Sequence, residues 1–264
     1  MDMGVLGSLV LENNGNSAVP SAPKPRQLLA FLMLHLNEVV RGSQCITELW
    51  ADRPPKSAVS TLQTYVLHIR QVIRGALGPE HDGMLATRSQ GYQLTADPAA
   101  LDRTRFTALA RLGRAAAAAG DDARSADLFA QALGLWRGPA LADVQVGQLS
   151  AAHVVDLEET RRGVLERRIE ADLTLGRHQR LLDELSALTT LHPRHENLHA
   201  QYMLALYRCG HRAAALAVFG QLRDVLGESL GIEPSPRMQR LNSAVLASDP
   251  ILDAPAGSGS LTRT

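Results

Sequence analysis

Between Arg53 and Arg74 the chain carries Arg53, Lys56, Arg70 and Arg74 and not one Asp or Glu. Ser57, Ser60, Thr61, Gln63, Thr64 and His68 are interleaved with aliphatic residues in the same stretch. Phosphate oxygens attract cations and hydroxyls, and base edges in a duplex groove are read by short polar or bidentate side chains. On a wheel at 100° per residue, Leu62, Val66, Ile69 and Ile73 fall within about 60° of one another, a stripe to bury. Ser57, Ser60, Thr64, His68 and Gln71 lie opposite, Gln63, Arg70 and Arg74 flank them, and Thr61 lies on the other side. A merely solvated amphipathic helix would show the same stripe. The missing carboxylates separate the two readings, because residues 1–96 as a whole hold eight basic and seven acidic residues. Positive charge is therefore gathered around one helix, as a phosphate-contacting element requires. Four neutralised phosphates would give a salt slope of about −3.6.

A second constellation competes. His195-Glu196-Asn197-Leu198-His199 matches H-E-x-x-H, which on a helix puts two imidazoles on one face with a general-base carboxylate. Tyr202 and Ala205 stand where an extended zinc motif would need Gly and a third His, and Pro193 reads as the approach to a helix start. There Glu196 suits the positive end of the helix dipole instead. No phosphate-binding G-x-x-x-x-G-K-[ST] loop, G-x-S-x-G elbow or dinucleotide turn occurs. Cys45 and Cys209 lie far apart and read as packing residues. No catalytic residue, cofactor or metal is expected, and the chain reads as a non-enzyme. A scaffold with an idle basic helix and a zinc hydrolase remain the alternatives, separable by DNA footprinting and metal analysis.

The elements that position the basic helix are legible on either side of it. Val5, Leu6, Leu9, Val10 and Leu11 before Glu12-Asn13-Asn14-Gly15-Asn16 predict a short strand and a turn. Arg26–Leu36 reads as an apolar helix with Pro25 in its first turn. Val39-Val40 is a short β segment, and Ser43 offers an N-cap for a helix bearing Ile46, Leu49 and Trp50, halted by Pro54-Pro55. The basic helix spans about Ser57–Arg74. Met84–Thr87 and Gly91–Leu94 then make a hairpin about Arg88, Ser89 and Gln90, which would carry Arg88 to the adjacent minor groove or backbone.

Beyond Asp97-Pro98 strand signals stop. Segments beginning after Gly120, Gly176 and Gly210 place Ala126, Phe129, Ala132; Leu182, Leu185, Leu188; and Leu216, Phe219, Leu222 at equal offsets. The last two glycines are a tetratricopeptide period apart. The wider first gap calls for a long helix over about Ser150–Leu175. At 264 residues about two domains are expected, and 4% aromatics leave core volume to Leu, Ala and Val, a helical bias. Equal counts of 27 basic and 27 acidic residues exclude a globally basic binder. The longest strongly apolar run, Leu28–Leu36, is far short of a membrane span, and the N-terminus does not read as a signal peptide. A cytoplasmic protein without membrane contact is expected.

The ordered set of local motifs resembles the Streptomyces antibiotic regulatory protein family of transcriptional activators. Its members in this chain are Pro23-Lys24-Pro25-Arg26-Gln27-Leu28-Leu29-Ala30, Glu48-Leu49-Trp50, Pro54-Pro55, Thr61-Leu62-Gln63-Thr64-Tyr65-Val66, Ile69-Arg70 and Gly91-Tyr92-Gln93-Leu94. In the second half they are Leu135-Trp136-Arg137-Gly138-Pro139-Ala140-Leu141, Ala171-Asp172-Leu173, Leu175-Gly176-Arg177-His178, Leu191-His192-Pro193, Leu204-Ala205-Leu206-Tyr207-Arg208 and Leu230-Gly231-Ile232-Glu233-Pro234-Ser235-Pro236. The resemblance implies a mainly α chain: an N-terminal OmpR-type winged helix (α+β, residues 1–96) and an all-α tetratricopeptide-like bacterial transcriptional activation domain (97–247). From Ser248 the chain is Asp, Pro, Ala, Gly and Ser with little apolar content, so an unstructured tail (248–264) is expected. It implies binding to direct repeats in double-stranded promoter DNA by two protomers, and recruitment of RNA polymerase holoenzyme, sigma factor included, to antibiotic biosynthetic genes. Larger relatives append sensor modules, so this length suggests a small stand-alone activator. Arg88-Ser89-Gln90-Gly91 departs from the Gly-Pro-Gly-like wing turn usual in the family.

Overall fold

The computed structural model describes residues 1–253. Compactness divides the chain into one unit formed by Met1–Arg111 with Gln131–Gly163, and a second formed by Leu112–Ala130 with Val164 onward. The division does not follow a single cut near residue 96, and two buried carboxylates explain why.

The first unit opens with an antiparallel meander: β1 (Asp2–Gly4), β2 (Val10–Asn13) and β3 (Asn16–Ser17), with Met3 opposite Leu11 and Asn13 opposite Asn16. The strand expected over Val5–Leu11 is thus split, with Val5–Leu9 forming a loop. That loop's amides are claimed from elsewhere. Asp102 accepts from Val5 N–H (2.9 Å) and Leu6 N–H (3.1 Å) and pairs with Arg137 at 2.8 Å. The Arg137, Leu141 and Ala142 amides donate to the carbonyls of Leu6, Val5 and Gly7. Residues 137–142, which overlap the Leu135–Leu141 motif of the second half, are therefore the backbone partner of the N-terminal loop.

Next come α1 (Pro23–Leu34), β4 (Val39–Arg41), α2 (Gly42–Trp50), α3 (Ala58–Leu77), and the hairpin of β5 (Leu85–Arg88) and β6 (Gly91–Leu94), in a sheet ordered β4-β6-β5. This is the expected winged-helix order. The missing N–H groups of Pro23 and Pro25 fall in the first turn of α1, where no intrahelical acceptor exists. The N-cap of α2 is Arg41 rather than Ser43. Gln44 reaches back to accept from the Arg41 N–H at 2.9 Å, so the helix starts earlier.

Glu48, buried on α2, caps a helix about a hundred residues downstream. Its Oε1 accepts from Gly147 N–H (2.7 Å) and its Oε2 from Leu149 and Ser150 N–H (3.0 Å each), the free amides at the start of α6 (Gln148–Thr174). A carboxylate there satisfies orphan donors and faces the positive end of the dipole. In the same unit Trp136 is held between the edge of Phe106 (centroids 5.5 Å) and the Arg161 guanidinium (4.6 Å).

The remaining helices are α4 (Asp102–Ala118), α5 (Asp122–Leu133), α7 (His178–Leu191), α8 (Glu196–Arg208), α9 (Arg212–Leu230) and α10 (Pro236–Ala247). The long helix expected over Ser150–Leu175 is α6. Gly120, Gly176 and Gly210 have φ of 76°, 75° and 83° and end α4, α6 and α8, a left-handed position that glycine adopts without a Cβ penalty. The next helix then starts in the same register each time, burying Ser125, Leu181 and Ala215 five residues after the glycine. In the second unit, Ile169, Leu173, Leu181, Leu185, Leu198 and Ala205 form one core cluster, and α8, α9 and α10 close another around Met203, Leu222 and Met238.

The tail expected to be unstructured from Ser248 holds a 3-10 turn at Pro250–Leu252. Leu252 is buried and its carbonyl accepts from Arg208 Nε at 2.8 Å. The rest of that expected tail, residues 254–264, lies outside the described residues. No helix among the described residues is long and apolar enough to cross a membrane.

Replacing Asp102 by Ala leaves two buried amides and the Arg137 guanidinium unpaired. A loss of about 3 kcal/mol is expected, read as a lower denaturation midpoint in urea.

Candidate nucleic-acid interface

The stripe on α3 behaves as its spacing predicts: Ala58, Leu62, Val66, Ile69, Ile73 and Leu77 are buried. They pack the helix against α1, α2 and the β2–β3 edge. Tyr65 stacks on Trp50 of α2 with ring centroids 6.1 Å apart and 25° between planes. Rotation of α3 about its axis is thereby fixed, and so is the side it shows to solvent. From Arg53 to Gly78 there is no acidic side chain, and the first turn of α3 carries none.

Arg53, Lys56, Ser57, Ser60, Gln63, Thr64 and Gln71 are exposed, and Thr61 and His68 half-buried. The hydroxyls are held locally. Ser60 Oγ donates to Ser57 O and Thr64 Oγ1 to Ser60 O, both at 3.0 Å, while Ser57 Oγ lies 3.4 Å from Thr61 Oγ1. Their lone pairs remain available as acceptors. The side chains of Arg53, Lys56 and Gln63 make no hydrogen bond or ion pair with the described residues.

The arginines divide. Arg70, grouped above with the phosphate anchors, donates Nε to Leu85 O and Nη2 to Thr87 Oγ1, both at 2.8 Å. It ties α3 to β5 of the wing through these two bonds. Arg74 forms an exposed pair with Asp82 at 3.4 Å, which solvent screens to little value. Arg88, at the wing tip, donates Nε to Gln93 Oε1 at 2.8 Å and is otherwise exposed.

The wing turns over Ser89 and Gln90, and Gln90 O accepts from Gly42 N–H at 3.1 Å, fastening the tip to the start of α2. A Cβ at Gly91 would run into the Val40 carbonyl oxygen, so only glycine lets β6 pass β4 there. The departure from the Gly-Pro-Gly-like turn thus leaves a short hairpin intact.

Two residues of this surface escape a polarity search. Val59 is 63% exposed and Leu67 54% exposed, flanking Gln63 at four-residue steps along α3. Aliphatic groups beside an amide are suited to thymine methyls as well as to polar base edges. Their signal in the sequence is their place outside the buried stripe.

Neither cysteine offers chemistry here. Burial pushes the Cys45 thiol up to about 12, and burial also raises Cys209. The H-E-x-x-H stretch is structural in use. His195 is the N-cap of α8, not part of the helix, and its Nδ1 accepts from Leu198 N–H at 3.4 Å while Nε2 pairs with Glu166 at 3.1 Å. Glu196 accepts from Ser235 N–H at 3.0 Å, and His199 bonds back to His195 O at 3.1 Å. Among the described residues no three His, Cys, Asp or Glu are grouped to hold a metal.

A winged helix with an acid-free exposed helix, followed by paired helices, defines a bacterial transcriptional regulator. Residues 16–94 match the family described as transcriptional regulatory protein, C terminal, and residues 101–246 the bacterial transcriptional activator domain. The regulatory protein DnrI of Streptomyces peucetius is 48% identical over 96% of this chain and 94% of its own. The regulatory protein AfsR of Streptomyces coelicolor is 37% identical over 94% of this chain but only 24% of its own. The solved structure of Mycobacterium tuberculosis EmbR in complex with a low affinity phosphopeptide superposes with a TM-score of 0.86 at 33% identity, covering 94% of this chain and 65% of that one. The chain belongs to the Streptomyces antibiotic regulatory protein family of transcriptional activators.

The division of the arginines has a stability signature. Arg70→Ala is expected to cost about 1 kcal/mol by freeing the wing from α3, whereas Arg74→Ala changes thermal stability within about 0.5 kcal/mol. Melting curves of the two variants check this.

Proposed function

We propose that the chain binds double-stranded promoter DNA with α3 in the major groove and the β5–β6 wing against the neighbouring backbone or minor groove. The exposed face of α3, free of carboxylates, carries this reading. Arg53, Lys56 and Arg74 anchor on phosphates, with Ser57 at the helix start beside them. Ser60, Thr61, Gln63, Thr64 and His68 face base edges together with Val59 and Leu67. Arg88 contacts the backbone from the wing. Arg70 acts by holding the wing to α3.

The family membership supports the rest. Two protomers sit head to tail on tandem direct repeats, and the protein, a non-enzyme, brings RNA polymerase holoenzyme with its sigma factor to promoters of antibiotic or other secondary-metabolite genes. Its place of action is the cytoplasm, at the nucleoid. A head-to-tail pair on direct repeats needs no two-fold symmetry, unlike a palindromic dimer. The all-helical second unit suits protein contact, since stacked helix pairs present extended surfaces.

Band-shift titrations against salt test the DNA reading. The three anchors around α3 and Arg88 give a slope of about −3.6, and each of Arg53→Ala, Lys56→Ala, Arg74→Ala and Arg88→Ala lowers its magnitude by about 0.9. Gln63→Ala should instead weaken the cognate duplex by about 1–3 kcal/mol and leave non-specific binding untouched. Slopes unmoved by the cation variants would reject the assignment.

A further inference from the structure

Val59 and Leu67 are the exposed large aliphatic residues of α3. Each stands four residues from Gln63, about 6 Å along the axis and about 40° around it. The row Val59–Gln63–Leu67 therefore turns through only about 80° over about 12 Å and makes one ridge on the outer side of the helix. The surface beside the ridge is polar and free of carboxylates, with Ser60, Thr64 and Gln71 exposed. Val59 also borders a groove that α3 shares with the start of α2 and the wing, where Ile46, Leu62 and Tyr92 extend its apolar surface.

A single exposed aliphatic residue is ordinary on a protein surface. Two on one ridge, a turn either side of an amide that bonds to no described residue, set a condition on whatever covers them. Laid on a polar surface, they would strip water from groups they cannot hydrogen-bond. Among the groups that the four base pairs present in the major groove, the 5-methyl of thymine is the apolar one, and the rest are donors and acceptors. The Gln63 amide between the two aliphatics matches adenine N6 and N7.

The three side chains together fit an adenine with a thymine methyl on either side of it. Base pairs rise about 3.4 Å, so the ends of a ridge about 12 Å long, lying along the groove, meet bases about three to four base pairs apart. Resting on the assignment of α3 to the major groove, we propose that Val59 and Leu67 are specificity residues that read thymine by its methyl group. The two thymines lie three to four base pairs apart and flank the base pair read by Gln63.

The test uses the full-length protein and a duplex that it selects from a random-sequence library. Each thymine of the selected site is replaced singly by deoxyuridine, which removes the methyl and keeps every hydrogen-bonding group. At two positions, three to four base pairs apart, this should weaken binding about fourfold, the effect of exposing one buried methyl-sized group. Val59→Ala should abolish the effect at one of these positions and Leu67→Ala at the other, since each pair of changes removes the same contact. Both variants should melt no lower than the wild type, because both side chains are exposed. Enrichment of no duplex would remove the major-groove assignment and this proposal with it. Three results would overturn the methyl reading alone and leave the ridge to a protein partner: a selected site without thymine, tight binding that tolerates deoxyuridine at every thymine, or deoxyuridine sensitivity that persists in both alanine variants.

Discussion

The depth at which α3 is rooted decides everything its outer side can do. Five aliphatic positions from Leu62 to Leu77 and the Trp50–Tyr65 stack hold the helix in one rotation, so that hydroxyls, amides and cations share the solvent side without a competing carboxylate. Each buried side chain contributes roughly 1.5–3 kcal/mol relative to exposure. That is more than any surface contact on the outer face, so packing sets the rotation and the polar residues inherit it. The Arg70 bridge to β5 then sets the angle of the wing relative to the helix.

A second constraint acts at longer range. Glu48 and Asp102 are buried acids whose partners are backbone amides far away in sequence. They integrate residues 131–163 with the winged helix into one compact unit, so that the start of α6 and the loop after α5 are structural parts of it. A carboxylate cannot be left in an apolar interior without donors, so each acid ties the two stretches together at defined atoms.

Much of this was readable from the residues in order, because it depends on local period and local chemistry. The α3 stripe, the hairpin around Arg88–Gly91, the glycine-terminated helices and the long α6 follow from spacing. Most of the readings that changed depended on a distant partner. Val5–Leu9 has the composition of a strand but gives its amides to Asp102. Ser43 yields the cap of α2 to Arg41 because Gln44 reaches back. Arg70 reads as a phosphate anchor in sequence, and its bonds to Leu85 and Thr87 add a role in holding the wing. The role of Glu48 has no local signature at all, since its three donors lie near residue 148.

The central claim is that the outer side of α3 meets base edges, and affinity cleavage examines it most directly. Gln63→Cys in a Cys209→Ser background can be labelled with an iron chelate, since the buried Cys45 thiol resists modification at ordinary pH. Activated on a duplex selected from promoter DNA, the conjugate should cut within the bound site, in the major-groove pattern and once per repeat. Cleavage confined to the flanks of the site, or none in a complex that still forms, would contradict the account.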